Sequence, residues 1–219
     1  MNGAFMHASR VKDFEDRRWS EQDQVPVWRH ETALNLVTEE PVLDVAGGDG
    51  LFLSLLRERR GFECLTLVDL SPVGVAKAGR KGLHAEVLDI TKRFPFDNNS
   101  FGTACALDVL EHLYDPLPTL REMARVARSV VIVVPNFHYW KDRMQMLLGQ
   151  VPFQCRPKRG HVYWFDYFIL RSILALAGLQ LEVLVLSGIK RLGPMGNWLA
   201  RCHPNLFADS FAARLTKKR

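Results

Sequence analysis

Four aspartates at near-regular intervals carry the clearest chemistry in this chain. Asp44, Asp69, Asp89 and Asp108 are separated by 25, 20 and 19 residues, and each stands within or just past an apolar run: "PVLDVA", "ECLTLVD", "HAEVLDI" and "FGTACALDVL". An ionised carboxylate accepts hydrogen bonds and donates none. Acids in such positions therefore suit a ligand rich in donors and poor in negative charge. Between the first two lies "AGGDG", residues 46–50. Glycines at a strand-to-helix turn let the backbone turn tightly and approach a ligand closely. The spacing fits neither G-x-G-x-x-G nor the phosphate loop G-x-x-x-x-G-K-S/T, and Asp49 at the helix start would repel a pyrophosphate. The expected ligand is a nucleoside with little negative charge. Asp69 is placed to accept from both ribose hydroxyls, and Asp89 from the exocyclic amine of adenine.

Proton transfer, if the chemistry needs it, falls to His112, His138 or His161. His112 follows Glu111 and reads first as a support for its loop, with proton transfer as the second reading. His161 precedes the aromatic run "VYWFDYF" and either faces a substrate cavity or packs half-buried against the next helix. Cys155, Cys202 and His203 match no metal-ligand spacing, so no metal is expected.

The elements that must position these residues alternate regularly. "PVLDVA", "ECLTLVD", "HAEVLDI", "FGTACALDVL" and "SVVIVVP" read as five buried strands. A helix from about Asp49 ends in Arg57, Arg59 and Arg60 before Gly61, and "SPVGVAKAGRKG" opens on Ser71 and Pro72 and stops at Gly82. Cations in the last turn and a following glycine are helix-stop signals, and serine then proline is a start signal. Asp115 and Pro116 open a helix whose face is Leu117, Leu120, Ala124 and Ala127. Two more strands are predicted near "LEVLVL" and "FADSFAARL", the last antiparallel. The predicted fold is α/β: a doubly wound, Rossmann-like, mostly parallel seven-stranded sheet with helices on both faces. Such sheets bind ligands outside the carboxyl ends of their strands. Trp140, Met144, Leu147 and Leu148 fall at helical spacing and read as core, with a lid over the substrate side as the other reading.

Composition sets the outer limits. With 47% hydrophobic and 24% charged residues, the chain can bury a full core. The longest near-apolar stretch, 163–181, contains Asp166 and Arg171, so no membrane span is expected. Four scattered cysteines predict a reducing cytoplasm. A net charge of +5 raises the question of nucleic acid, but the basic groups are short and read as solvated helix ends.

Taken in order, the glycine turn after the first strand, the acid closing the second, Asp89–Ile90 after the third and "LEHLYDP" after the fourth resemble class I S-adenosylmethionine-dependent methyltransferases, closely over 40–136. The segment "PNFHYWKDRMQMLLG", 135–149, is similar to the MetW-like, methyltransferase type 11 subgroup. The resemblance implies S-adenosyl-L-methionine as cofactor, S-adenosyl-L-homocysteine as product, and in-line methyl transfer to a small-molecule acceptor. It implies that Asp44, Ala46, Gly47, Gly48 and Gly50 shape the methionine end and that Asp69 and Leu70 serve the ribose. Asp89 and Ile90 would flank adenine, and Asp108 would lie near the methionine end, with His161 and His112 as catalytic candidates. Ala46 stands where the family usually has glycine, and its methyl is tolerated if φ is negative. Two alternatives remain open: a non-catalytic regulatory subunit working with a partner enzyme, and an RNA or protein methyltransferase. A homodimer or a partner enzyme is the expected assembly. Residues 1–37 are expected as a helical cap and 38–219 as the methyltransferase domain, with substrate-side insertions at 137–165 and 187–206.

Overall fold

The computed structural model describes residues 12, 13, 15–17, 19–21 and 24–218. Seven strands form one sheet: β1 (Val42–Val45), β2 (Leu65–Asp69), β3 (His84–Val87), β4 (Phe101–Leu107), β5 (Ala127–Pro135), β6 (Leu179–Leu186) and β7 (Ser210–Lys217). Their spatial order is β3-β2-β1-β4-β5-β7-β6. β3 through β5 run parallel, and β7 is antiparallel to both β5 and β6. This is the doubly wound arrangement the alternating pattern predicts, with the last strand reversed.

The two faces of the sheet carry separate cores. On one, Leu43, Val45, Val130, Ile132 and Val134 pack with Leu120 and Met123 of α4 (Leu117–Val126) and with Leu170, Ile173 and Leu174 of α6 (Tyr167–Leu176). On the other, Val42, Leu67, Cys105, Val131 and Val133 meet three helices. These are α1 (Trp28–Leu36), α2 (Leu51–Arg60) and α3 (Pro72–Arg80), through Ala33, Leu34, Phe52, Leu53, Leu56 and Ala78. Successive residues of β5 serve opposite faces, as the two-residue strand period requires. Both faces are covered, so β1 is buried at every position and is apolar except for Asp44.

The stop and start signals act as their chemistry dictates. Gly61 caps α2 at φ 70°, the left-handed conformation that glycine adopts without penalty. The Ser71 hydroxyl accepts from Gly74 N, with Pro72 in the first helical position. Asp115 accepts from Leu117 N at the start of α4. Ala127 differs from expectation: it opens β5 instead of closing the face of α4, because the chain turns extended there and pairs with Phe101.

A second correction concerns α5 (Trp140–Leu147). Met144, Leu147 and Leu148 are exposed, Leu147 at 79%, and the helix buries only Asp142. Helical spacing identified the element but not its neighbours; α5 lies outside both cores. α7 (Gly193–Cys202) and α8 (Pro204–Phe207) complete the chain between β6 and β7. Among the described residues, no helix is long and apolar enough to cross a membrane.

Candidate functional site

A cavity of about 480 Å³ opens at the carboxyl ends of β1, β2, β3 and β4. Its wall includes Ala46 after β1, Asp69 and Leu70 at the end of β2, Asp89, Ile90 and Thr91 after β3, and Leu107, Asp108, Val109 and His112 from β4 and its loop. β1 and β4 are spatial neighbours at the point where strand order reverses, which is where open α/β sheets bind ligands. Glu15, Trp19, Gln24 and Arg29 complete the wall from the N-terminal segment.

The glycine turn shapes this cavity from behind. Gly48 and Gly50 have φ of 60° and 77°, where a side chain is strained. A β-carbon on Gly48 would fall 2.3 Å from the Trp19 ring, so the bare backbone lets the indole approach the loop closely. A β-carbon on Gly47 would fall 2.4 Å from Asp44 Oδ2. Asp44 is thus tucked beneath the turn and does not reach the cavity wall, nor do Gly47, Gly48 and Gly50. Ala46 has φ 57°. The negative φ expected for its methyl is not what the chain adopts, because Ala46 and Gly47 both turn their N–H groups onto the Val68 carbonyl.

Charge at the site follows from burial. Asp44 is 2% exposed and its Oδ2 has no hydrogen-bond partner. Burial, reinforced by Asp69 and Asp49, raises its carboxyl to a pKa of about 8. Asp49 is fully buried but paired: Oδ1 accepts from Leu51 N, and Oδ2 from Gln24 N and Lys81 Nζ at 3.2 and 3.1 Å. Asp69 accepts from Gly48 N at 2.9 Å and Ser71 N at 2.8 Å. This acid therefore braces the glycine loop from the cavity wall. Asp89 holds Thr91 N and Thr91 Oγ1 at 3.1 and 2.6 Å, with Lys92 Nζ at 3.3 Å. Burial would raise its carboxyl, but these bonds outweigh it and keep the group below its ordinary value. Asp108, at φ 55°, receives Arg29 Nη1 at 3.0 Å. That pair joins α1 to the end of β4, a contact 79 residues apart in sequence that no local pattern announces.

The two candidate imidazoles part company. His112 borders the cavity. His161 does not; it packs edge-on behind His112, ring centroids 5.0 Å apart, and beside Glu111. Burial, with His112 and Arg159 adding to it, lowers the His161 pKa to about 4, so the ring is neutral near pH 7. His138 lies 3.3 Å from Asp166 and is not among the residues of the cavity wall. The Trp19, Gln24 and Arg29 contributions went unrecognised in the sequence, since the segment carries no motif and acts only by folding back over the turn.

Solved structures share this architecture at low identity. Magnesium protoporphyrin IX methyltransferase from Synechocystis PCC 6803, solved with bound SAH, superposes with a TM-score of 0.65 at 16% identity, covering 96% of this chain and 99% of that one. A chain of the Haloferax volcanii complex containing the Trm112 methyltransferase activator gives 0.60 at 19% identity over 99% and 97%. The 4+2 cyclase SpnF gives 0.62 at 17% identity over 90% and 86%. These likenesses establish a class I methyltransferase fold; with a cyclase among them, they leave the reaction to the site. No curated protein sequence gives a significant match. The family described as methionine biosynthesis protein MetW matches residues 29–171, which takes in α1, the glycine turn, the acids closing the strands and the segment around α5. The chain belongs to the MetW family.

Proposed function

We propose that the chain is an S-adenosyl-L-methionine-dependent methyltransferase acting on a small-molecule acceptor. The observation that carries this reading is the pairing of Asp69 with the Gly48 N–H on the wall of an otherwise largely apolar cavity. Asp69, at the end of β2 on the cavity wall, is the carboxylate acceptor for ribose hydroxyls. Ile90 and Leu70 offer apolar contact to a flat base, and Asp89 an acceptor for its amine. A volume of about 480 Å³ lies within the range of small-molecule sites. When bound, the cofactor would supply an electrophilic methyl group, so the protein's share is alignment and exclusion of water. Trp19 and Arg29 close the cavity from the N-terminal side, consistent with residues 1–37 as a cap, and Asp108 with Arg29 fixes the wall near Ala46. Of the two imidazoles named from sequence, His112 borders the cavity and His161 packs against it from outside the wall, which favours His112 as the candidate base.

Titration calorimetry with S-adenosylhomocysteine tests the cofactor assignment. Micromolar binding is expected, weakened on the order of 100-fold in Asp69→Ala, which loses charge-assisted hydrogen bonds. Because Asp69 also braces the loop, Asp89→Ala is the companion variant, with a loss on the order of 10-fold. Undiminished affinity in both variants would refute the assignment.

A second reading is a non-catalytic subunit working with a partner enzyme. It is favoured by Leu147, Leu148 and Val151, each more than half exposed on and after α5. Cofactor binding without turnover over a broad acceptor panel would select it.

A further inference from the structure

At the cavity wall and just behind it, three side chains converge that nucleoside binding does not use. Glu111 is 1% exposed, and its Oε2 has no hydrogen-bond partner. Its Oε1 lies 4.0 Å from His161 Nε2. One ligand-capable atom from each of Glu111, His112 and His161 lies within 4.8 Å of the other two. The backbone holds them there, because Val162 N and Tyr163 N both donate to the Glu111 carbonyl at 2.9 and 3.0 Å. The loops carrying the three side chains are thereby stitched together.

One imidazole also has a partner outside the cluster: His112 Nδ1 lies 3.1 Å from the Gly160 carbonyl. A ring N–H held on a backbone carbonyl fixes the tautomer and the orientation of the ring. That is how metal-ligating histidines are oriented. The buried carboxylate oxygen is the other half of the case, since buried acceptors in native proteins are satisfied.

We propose that Glu111, His112 and His161 form a binding site for a divalent first-row transition ion, with Zn2+ the fitting representative. Two imidazoles and a carboxylate are a ligand set that Zn2+ accepts. Ligand atoms about 2.0–2.2 Å from such an ion stand roughly 3.4 Å apart in a tetrahedral site. Closing from the present separations draws the side chains in by about 1 Å, a matter of small torsional adjustment. His112 borders the cavity, so the fourth position opens toward it and would take water or an oxygen of a cavity ligand. His112 is shared with the cavity, but ion binding requires neither cofactor nor turnover, so failure of this site and failure of the methyl-transfer reading are separate results. It departs from the sequence expectation of no metal because the histidines are 49 residues apart and match no ligand spacing.

The test uses the full chain, stripped with chelator and with its exposed Cys64 and Cys202 blocked by alkylation. Zn2+ is added, excess is removed by gel filtration, and the retained metal is measured. Co2+ is added in parallel, and its visible absorption reports coordination directly. Wild type should hold one equivalent and show the bands of a four- or five-coordinate Co2+ site. Affinity should fall on the order of 100-fold in His161→Ala and in Glu111→Gln. His84→Ala, on an exposed ring of β3, should bind as wild type does. Should His161→Ala fail to fold by circular dichroism, the near-isosteric Glu111→Gln carries the comparison. Failure of the wild type to retain either ion, or retention by Glu111→Gln equal to wild type, overturns the proposal.

Discussion

Ala46 is held at φ 57°, and Asp44 sits two residues earlier with an unpaired oxygen beneath the same turn. Both are costs borne at a ligand-facing loop, and both are measurable. A non-glycine residue in the left-handed region costs about 1–2 kcal/mol. Glycine there would relieve that strain while adding about 0.4–1 kcal/mol of unfolded-state entropy. Ala46→Gly should therefore stabilise the protein by about 0.5–1 kcal/mol in urea unfolding, and a destabilisation would show that the methyl contributes packing that outweighs the strain. For Asp44 the folded pKa of about 8 lies above the unfolded value of 3.8. The folded state then holds a proton that the unfolded state has released, so this residue makes stability fall as pH rises from about 4 to 8. The slope is at most about 1.4 kcal/mol per pH unit. His161, with its pKa lowered from 6.5 to about 4, acts oppositely, adding stability as pH rises through that lower window. Between pH 6.5 and 8 Asp44 is the larger influence of the two. Asp44→Asn should flatten the stability curve there, as read by denaturant unfolding at several pH values. The spacing of Asp69 and Asp89 made them legible as cavity acids, because strand ends are fixed by apolar runs. The left-handed φ of Ala46 was not legible; it depends on where its N–H must point, and alanine itself gives no sign of it.

Between elements, Asp49 is the main pin. It receives the Lys81 ammonium from just after α3 and Gln24 N from the N-terminal segment, so one buried carboxylate joins α2 to both. Removing one partner of a buried pair costs about 3–5 kcal/mol. The Lys81 side chain is 37% exposed, which screens the interaction, so Lys81→Ala should cost nearer 1–2 kcal/mol in thermal or urea unfolding. Trp19 reports on the same region differently. Its ring lies on Gly48, and nearby Asp16 receives the Ser71 hydroxyl, so the cap touches the turn and the start of α3 together. Trp19→Ala should speed amide hydrogen exchange across residues 47–50 while leaving β4 and β5 protected. Equal protection in both proteins would show that the turn is rigid without its cover. Strands and helices were legible from period and from stop signals such as Gly61 and Ser71-Pro72, which act through backbone conformation and local hydrogen bonds. The exposure of α5 and the placement of His161 behind His112 were not. Both are set by which element happens to lie alongside, and neither leaves a trace within the segment itself.

For the molecule as a whole, the positive net charge is spread out, and several of its arginines are paired. Arg59 pairs with Glu31, Arg128 with Glu39, Arg214 with Glu182, and Arg125 with Glu122. Polyanion binding draws on a continuous basic face and weakens steeply with salt. With cations distributed this way, structured RNA should not shift in a native gel at physiological salt, and a shift with a steep salt dependence would restore the nucleic-acid alternative. The order of the sheet has its own outcome for biosynthesis. β7, formed by residues 210–217, lies between β5 and β6, so the latest of the seven strands to leave the ribosome fills an interior place. Until it arrives, Val130 to Val134 present an open, sticky margin, and the half-made protein is a natural client for a chaperone. A stop codon that removed those eight residues would leave a gap inside the sheet, with consequences far beyond a trimmed tail.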